Sequence, residues 1–268
     1  MTPLSRVAAA PVDSPIKRLG RNLGGYFGER LDIASVLGDQ LEAARAHHWT
    51  IEELPAGPGL SLLTFQRAVG QPRRRLYLST GIHGDEPAGP LALRELLIAN
   101  PWPDDAHVCL CPCLNPGGFA LGRRENPAGL DLNRDYRHLQ SEEVRAHVAW
   151  LRRQPAFDLT VCLHEDWEAN GFYLYELNPE QRASPAQHVI DQVSRVCPID
   201  HAHEIEGRPA AGGIIRPSLD PNSRPQWPES FFLLQEKTRH SFTLEAPSDY
   251  PLPTRVAALA GAVRALLA

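Results

Sequence analysis

The segment Ser79-Thr80-Gly81-Ile82-His83-Gly84-Asp85-Glu86-Pro87 sets an imidazole and a carboxylate three residues apart, directly after the apolar run Leu76-Tyr77-Leu78. Imidazole nitrogen and carboxylate oxygen are both good Zn²⁺ ligands, and a catalytic zinc keeps an open position beside three protein ligands. A third ligand is at hand in His164, which ends the apolar stretch from Phe157 to Leu163. Zinc held by His83, Glu86 and His164, one ion per chain, would bring the pKa of a bound water towards ~7. A free carboxylate, Glu245, could then take the water's proton and later hand it to a leaving amine.

The long loop from Asn115-Pro116-Gly117-Gly118 to Asp135 carries the remaining polar parts. Arg124 could stabilise the oxyanion that develops on an attacked carbonyl. Asn133 and Arg134 could hold a substrate carboxylate, the guanidinium bidentately. Asp131 suits a supporting position, orienting a ligand imidazole through its far ring nitrogen. Together these residues are the parts of a metal-assisted amide hydrolase. Plainer roles stand beside each one: a hydrogen-bonded loop histidine, a salt bridge for Glu245, a helix cap for Asn133-Arg134. The acidic stretch His164-Glu165-Asp166-Trp167-Glu168 is open to four readings: ligand support, recognition of a substrate amine, a second metal, or a solvated loop.

Such a site needs strands to end where the ligands begin, and helix and strand patterns do alternate along the chain. Helices are predicted over 31–48, 88–99, 142–153 (capped by Ser141), 186–196 and 254–267. Strands are predicted over 60–67, 75–80, 107–111, 157–163, 171–177 and 241–244. The alternation predicts a single-domain α/β/α sandwich around a mixed, mostly parallel central sheet. Residues 1–20, with Pro3, Pro11 and Pro15, read as a loose extension, and 21–268 as the catalytic domain. His201 and His203 read as neighbours on a surface strand.

Composition narrows the function classes. The chain has 268 residues, is 43% hydrophobic and carries a net charge of -5, so neither nucleic acid nor an anionic membrane is expected as a partner. No stretch has transmembrane length and no signal-peptide pattern opens the chain. The five cysteines include no Cys-x-x-Cys pair; Cys109, Cys111 and Cys113 alternate on one side of a strand, which is poor disulfide geometry. They read as reduced core residues of a cytoplasmic protein.

In order, His-Gly-Asp-Glu (83–86), Asn-Pro-Gly-Gly (115–118), Arg-x-Asn-x-x-Gly-x-Asp-Leu-Asn-Arg (124–134), a strand-ending histidine and a late Leu-Glu resemble the M14 zinc carboxypeptidases over roughly residues 75 to 250. The resemblance implies a mixed eight-stranded sheet between helices, with His83, Glu86 and His164 on zinc and Glu245 as general base. It also implies Arg124 as carbonyl polariser and Asn133 and Arg134 on the substrate's terminal carboxylate. Small size and tight spacing are most similar to the compact bacterial members, such as murein tripeptide amidases. The same His-Gly-x-Glu and Asp-Leu-Asn-Arg elements resemble the succinylglutamate desuccinylase and aspartoacylase group, which makes an N-acyl amino acid deacylase the alternative to a carboxypeptidase or peptide amidase; a binding protein that has lost catalysis is a third reading. The substrate is thus expected to be a small peptide or an N-acyl amino acid. Two features depart from the family: no tyrosine lies between Tyr175 and Glu245, and the segment from Arg216 to Pro228 carries prolines at 217, 221, 225 and 228. Such a stiff segment suits a lid, with Arg216 or Arg224 favouring an acidic side chain.

Overall fold

The computed structural model describes residues 16–220 and 224–268. Ten strands form one sheet: β1 (Thr50–Pro55), β2 (Ser61–Arg67), β3 (Arg74–Thr80), β4 (Ala106–Cys111), β5 (Leu159–Asp166), β6 (Tyr173–Leu177), β7 (Glu204–Ile205), β8 (Arg208–Ala211), β9 (Ile214–Ile215) and β10 (Ser241–Pro247). Their spatial order is β1-β2-β4-β3-β5-β10-β6-β9-β8-β7. Among the described residues seven α-helices accompany them: α1 (Ile33–Ala46), α2 (Ala88–Ala99), α3 (Pro116–Leu121), α4 (Glu142–Arg153), α5 (Ala186–Val193), α6 (Glu229–Glu236) and α7 (Leu252–Leu267).

The sheet is mixed, as expected. β4, β3, β5 and β10 pair in parallel at its centre, and β1-β2, β2-β4 and β10-β6 are antiparallel flanks. Among the described residues it has ten strands rather than the eight expected, with the short β7, β8 and β9 extending the β6 edge. Central strands covered on both faces must be apolar on both. Leu76 and Leu78 face a core with Leu93, Leu96, Val189 and Leu259 of α2, α5 and α7, while Tyr77 faces Val148, Leu151 and Phe232 of α4 and α6. The outcome is the α/β/α sandwich read from the alternation.

Several differences have local causes. β1 was invisible in the sequence because its edge position leaves only Leu54 buried. β5 begins later than predicted, at Leu159, and runs beyond His164 to Asp166. The acidic stretch is therefore no solvated loop at its start, since Glu165 and Asp166 are buried strand residues. His201 and His203 are exposed but precede β7 rather than form a strand. Cys109 and Cys111 share one core face, whereas Cys113 lies past β4 and packs with Ile33 and Phe119.

Of the expected loose extension, residues 1–15 lie outside the described residues. Its end is fastened: Leu19 N–H donates to the Asp249 carbonyl at 2.7 Å, and Gly20 and Arg21 N–H donate to the Asp249 carboxylate at 3.1 and 2.9 Å.

Candidate active site

β3, β5 and β10 are adjacent and parallel, so their carboxyl ends open onto one crevice, the usual place for a site in an open α/β sheet. The loop leaving β3 must turn sharply and lie close to α3. Gly81 has φ +63°, and a Cβ on Gly84 would stand 2.1 Å from the Gly118 carbonyl carbon. Only glycine fits there. The Asn115 amide then fastens the two loops, donating to the carbonyls of Ile82 at 3.2 Å and Arg124 at 3.0 Å.

This framework buries His83, Glu86 and His164 and brings one ligand atom of each within 4.8 Å of the others. Glu86 bridges the two rings, its Oε1 2.5 Å from His83 Nδ1 and its Oε2 3.1 Å from His164 Nδ1. Burial alone would raise the Glu86 carboxyl, but the two imidazoles hold it well below the usual carboxylate range. Burial lowers His164, whereas the charges of Glu86 and Asp131 outweigh burial and raise His83. Two nitrogens and one oxygen, buried and convergent, form a donor set that fits zinc. The fit extends outwards, because Asp131 Oδ1 stands 3.2 Å from His83 Nε2, the ring nitrogen turned away from Glu86.

The remaining sequence-derived residues arrive from three directions. β10 runs parallel to β5 with Glu245 in register with His164. Burial, then the charges of Glu86, Glu206 and Asp166, push the Glu245 carboxyl well above its ordinary value. Arg124 donates from Nε to Asp131 Oδ2 at 3.0 Å, with Nη1 3.7 Å from Glu86 Oε1. Asn133 and Arg134 lie on the short 3₁₀ turn Leu132–Arg134, capped by Asp131. His83, Glu86, His164, Glu245, Arg124, Asn133 and Arg134 all line one cleft of about 560 Å³. Asp131 supports it from behind.

The acidic residues next to His164 also line the cleft, but each has hydrogen-bond partners of its own. Glu165 accepts the Ala88 N–H at 2.5 Å and pairs with the wholly buried Arg255, which also binds Glu29 and Tyr26. Asp166 accepts from Tyr173 Oη at 3.1 Å and from the Glu168 N–H at 2.8 Å. Among the described residues the only cluster suited to hold a metal is His83, Glu86 and His164.

The structure corrects one of the two arginine expectations. Arg216 does not line the cleft; it grips the buried Glu176 through Nη2 at 2.7 Å and Nε at 2.9 Å. Arg224 does line it, stacked over Phe231 at 4.4 Å. Pro217, Pro225 and Pro228 border the cleft, while residues 221–223 of the segment expected to form a lid lie outside the described residues. The far end of this segment is held by the chain after the 3₁₀ turn: Tyr136 N–H donates to the Trp227 carbonyl at 3.3 Å and Arg137 Nη1 to the Arg224 carbonyl at 2.6 Å. Sequence reasoning missed Tyr26, Tyr175, Glu206 and Arg208, which also line the cleft. Tyr175 donates to Glu206, so a phenol does reach the cleft, from β6 rather than from the proline-rich segment. No motif marks β7 and β8, and only the sheet edge brings them here.

Comparison with known proteins bears on the fold and on part of the sequence. Residues 72–196 match the family model of the succinylglutamate desuccinylase/aspartoacylase catalytic domain. Carboxypeptidase SOL1 of Arabidopsis thaliana is 32% identical over 108 residues, which are 31% of this chain and 21% of that protein. The match thus spans about a fifth of that relative's length. A Shewanella amazonensis protein, provisionally assigned as a metallopeptidase, superposes with a TM-score of 0.76 at 22% identity over 88% of this chain and 92% of its own. The metallo-carboxypeptidase of Burkholderia cenocepacia does so with a TM-score of 0.67 at 19% identity over 88% and 67%. At these identities the likeness is one of fold. The chain accordingly has an α/β fold like that of the metallocarboxypeptidases, and its residues 72–196 resemble the succinylglutamate desuccinylase/aspartoacylase catalytic domain in sequence.

Proposed function

We propose that this protein hydrolyses an amide bond next to a free carboxylate, as a carboxypeptidase or peptide amidase, with one zinc ion held by His83, Glu86 and His164. The observation that carries the reading is a single cleft lined by this ligand cluster, a carboxyl on the neighbouring strand (Glu245) and a carboxylate clamp (Asn133, Arg134). Zinc, when bound, would supply a Lewis acid that makes water acidic enough to attack at neutral pH.

The chain's own residues do the rest. Arg134 and the Asn133 amide take the substrate's carboxylate and set the scissile bond in register with Glu245. Arg124 offers its guanidinium to the carbonyl oxygen as charge develops there. Glu245 takes the proton of the attacking water and hands it to the leaving nitrogen. Arg208 and Arg224 line the same cleft and favour an acidic leaving residue. Five free cysteines, all buried, are in keeping with a reducing compartment, so we place the protein in the cytoplasm. Among the described residues no helix is long and apolar enough to cross a membrane.

The match of residues 72–196 favours a second reading, an N-acyl amino acid deacylase. The same machinery would serve, with an acyl group in place of the peptide's amino side. Metal analysis should find about one zinc per chain. A panel of dipeptides, C-terminally blocked peptides and N-acyl amino acids decides between the readings. Turnover of blocked peptides at the rate of free ones would sink the clamp, and unchanged selectivity after replacing Arg208 and Arg224 together would sink the acidic preference.

A further inference from the structure

Beneath the clamp lies a buried polar chain that the proposed mechanism does not use. Glu229, the first residue of α6, is 1% exposed and has no cation within salt-bridge distance among the described residues. Its carboxylate accepts Tyr77 Oη at 2.6 Å and Ser79 Oγ at 2.9 Å, both from β3. Tyr77 Oη is also 2.9 Å from His147 Nε2, and His147 Nδ1 is 2.7 Å from Tyr136 Oη.

The donors can be ordered by elimination. Tyr77 has one proton and gives it to Glu229, so it accepts from His147 Nε2–H. His147 Nδ1 then accepts from Tyr136. One neutral tautomer of His147 satisfies the whole chain, and burial pushes that ring down to about 3, which keeps it neutral. Every hydrogen bond therefore runs towards the Glu229 carboxyl.

The backbone of Glu229 meets the proposed clamp. Its backbone N–H donates to Asn133 Oδ1 at 2.9 Å. An amide whose oxygen is occupied presents its NH₂ as the free face, and Asn133 Nδ2 makes no hydrogen bond among the described residues. Asn133 lines the cleft, so those two donors are what the clamp offers a carboxylate. β3, which ends at Thr80 and launches the His83 loop, thus also holds the start of α6, and α6 holds the clamp amide.

We infer that Glu229 is the positioning residue of the carboxylate clamp: by tying α6 to Tyr77 and Ser79, it aims its own N–H at Asn133 and fixes the donor face of that amide towards the substrate. The inference rests on the proposed clamp. A purely structural Glu229 would stabilise the core without favouring a free carboxylate over an amide, and this difference is measurable.

The probes are hippuryl-glutamate and its C-terminal amide, whose binding is measured calorimetrically on zinc-loaded protein carrying Glu245→Gln, so that turnover does not consume the peptide. The free acid should bind more tightly than the amide. Adding Glu229→Met should reduce that preference about tenfold, whereas Glu229→Gln, which can still accept from Tyr77, should retain it. In a background already carrying Asn133→Ala, Glu229→Met should change the preference by less than about twofold. In protein with Glu245 intact, Glu229→Met should raise KM about tenfold and leave kcat within about threefold. Tyr77→Phe removes the shorter anchor and should act in the same direction; it serves if Glu229→Met does not fold. If the acid and amide bind equally before any change at Glu229, the clamp itself fails and Glu229 has nothing to position. If the acid is preferred but Glu229→Met and Tyr77→Phe leave that preference intact, or act equally on both probes, the role of Glu229 alone is overturned.

Discussion

Asp131→Asn isolates the support behind the proposed metal-binding cluster, because the side chain keeps its shape and loses only charge and one acceptor. In the native protein Oδ1 serves His83 Nε2 at 3.2 Å and the Asn133 N–H at 2.9 Å, while Oδ2 receives Arg124 Nε at 3.0 Å. Burial alone would raise this carboxyl, yet its bonds with His83 and Arg124 hold it well below the usual range. An asparagine that keeps its oxygen on His83 and Asn133 turns its NH₂ onto the Arg124 Nε–H, two donors face to face. The opposite rotamer meets the same conflict at His83. Either way one charge-assisted hydrogen bond is lost, typically about 1.5–3 kcal/mol. Loss of the carboxylate behind a ligand histidine typically weakens metal binding about 10–100-fold.

We therefore expect zinc affinity, measured by competition with a chromophoric chelator, to fall by that factor. With zinc saturating, kcat/KM should still fall about 100-fold, since Arg124 keeps only the weaker approach to Glu86 at 3.7 Å. Zinc affinity within about threefold of the native protein would refute the orientation of His83 by Asp131. Native kcat/KM under zinc saturation would refute the link to Arg124.

Glu245→Gln should keep one zinc per chain and lower kcat about 100–10,000-fold; metal content and steady-state rates check both halves. Arg255→Met leaves the fully buried Glu165 carboxylate without its cation and should cost about 3–5 kcal/mol, on the order of 10 °C in Tm by calorimetry. Adding Glu165→Gln should recover part of it, and a Tm within about 2 °C of native would show that the pair is not a stabilising element. Glu176 is buried, which would raise its carboxyl, but hydrogen bonds from His240 and Arg216 hold it near about 2 against an ordinary 4.5. A depressed carboxyl contributes stability that is complete above pH 4.5 and is lost as pH falls towards 2. Denaturant titrations should lose up to about 3 kcal/mol across that window, and Glu176→Gln should flatten the dependence.

The residues of the candidate site were legible because they are grouped locally in sequence. His83 and Glu86 share one loop, and Arg124, Asp131, Asn133 and Arg134 share another; their order along the chain identified the family resemblance. The central strands were legible because burial on both faces makes them apolar throughout. β1, whose edge position buries only Leu54, gave no such signal, and neither did the two-residue strands β7 and β9. The acidic stretch misled in part, since nothing near Glu165 in sequence announces Arg255, its partner 90 residues away. Arg216 and Arg224 looked equivalent within one segment, and only the position of the buried Glu176 separates them.

Sequence alone thus determined the residue types at the site, the strands that launch them and the α/β class, because hydrophobic period and motif spacing are properties of neighbouring residues. Tertiary structure decided which groups meet: Glu245 in register with His164, Asp131 behind His83, Arg208 beside Arg224 in the cleft, and Glu229 under Asn133. Such meetings depend on strand order and on pairings between distant segments, and neither periodicity nor spacing encodes them.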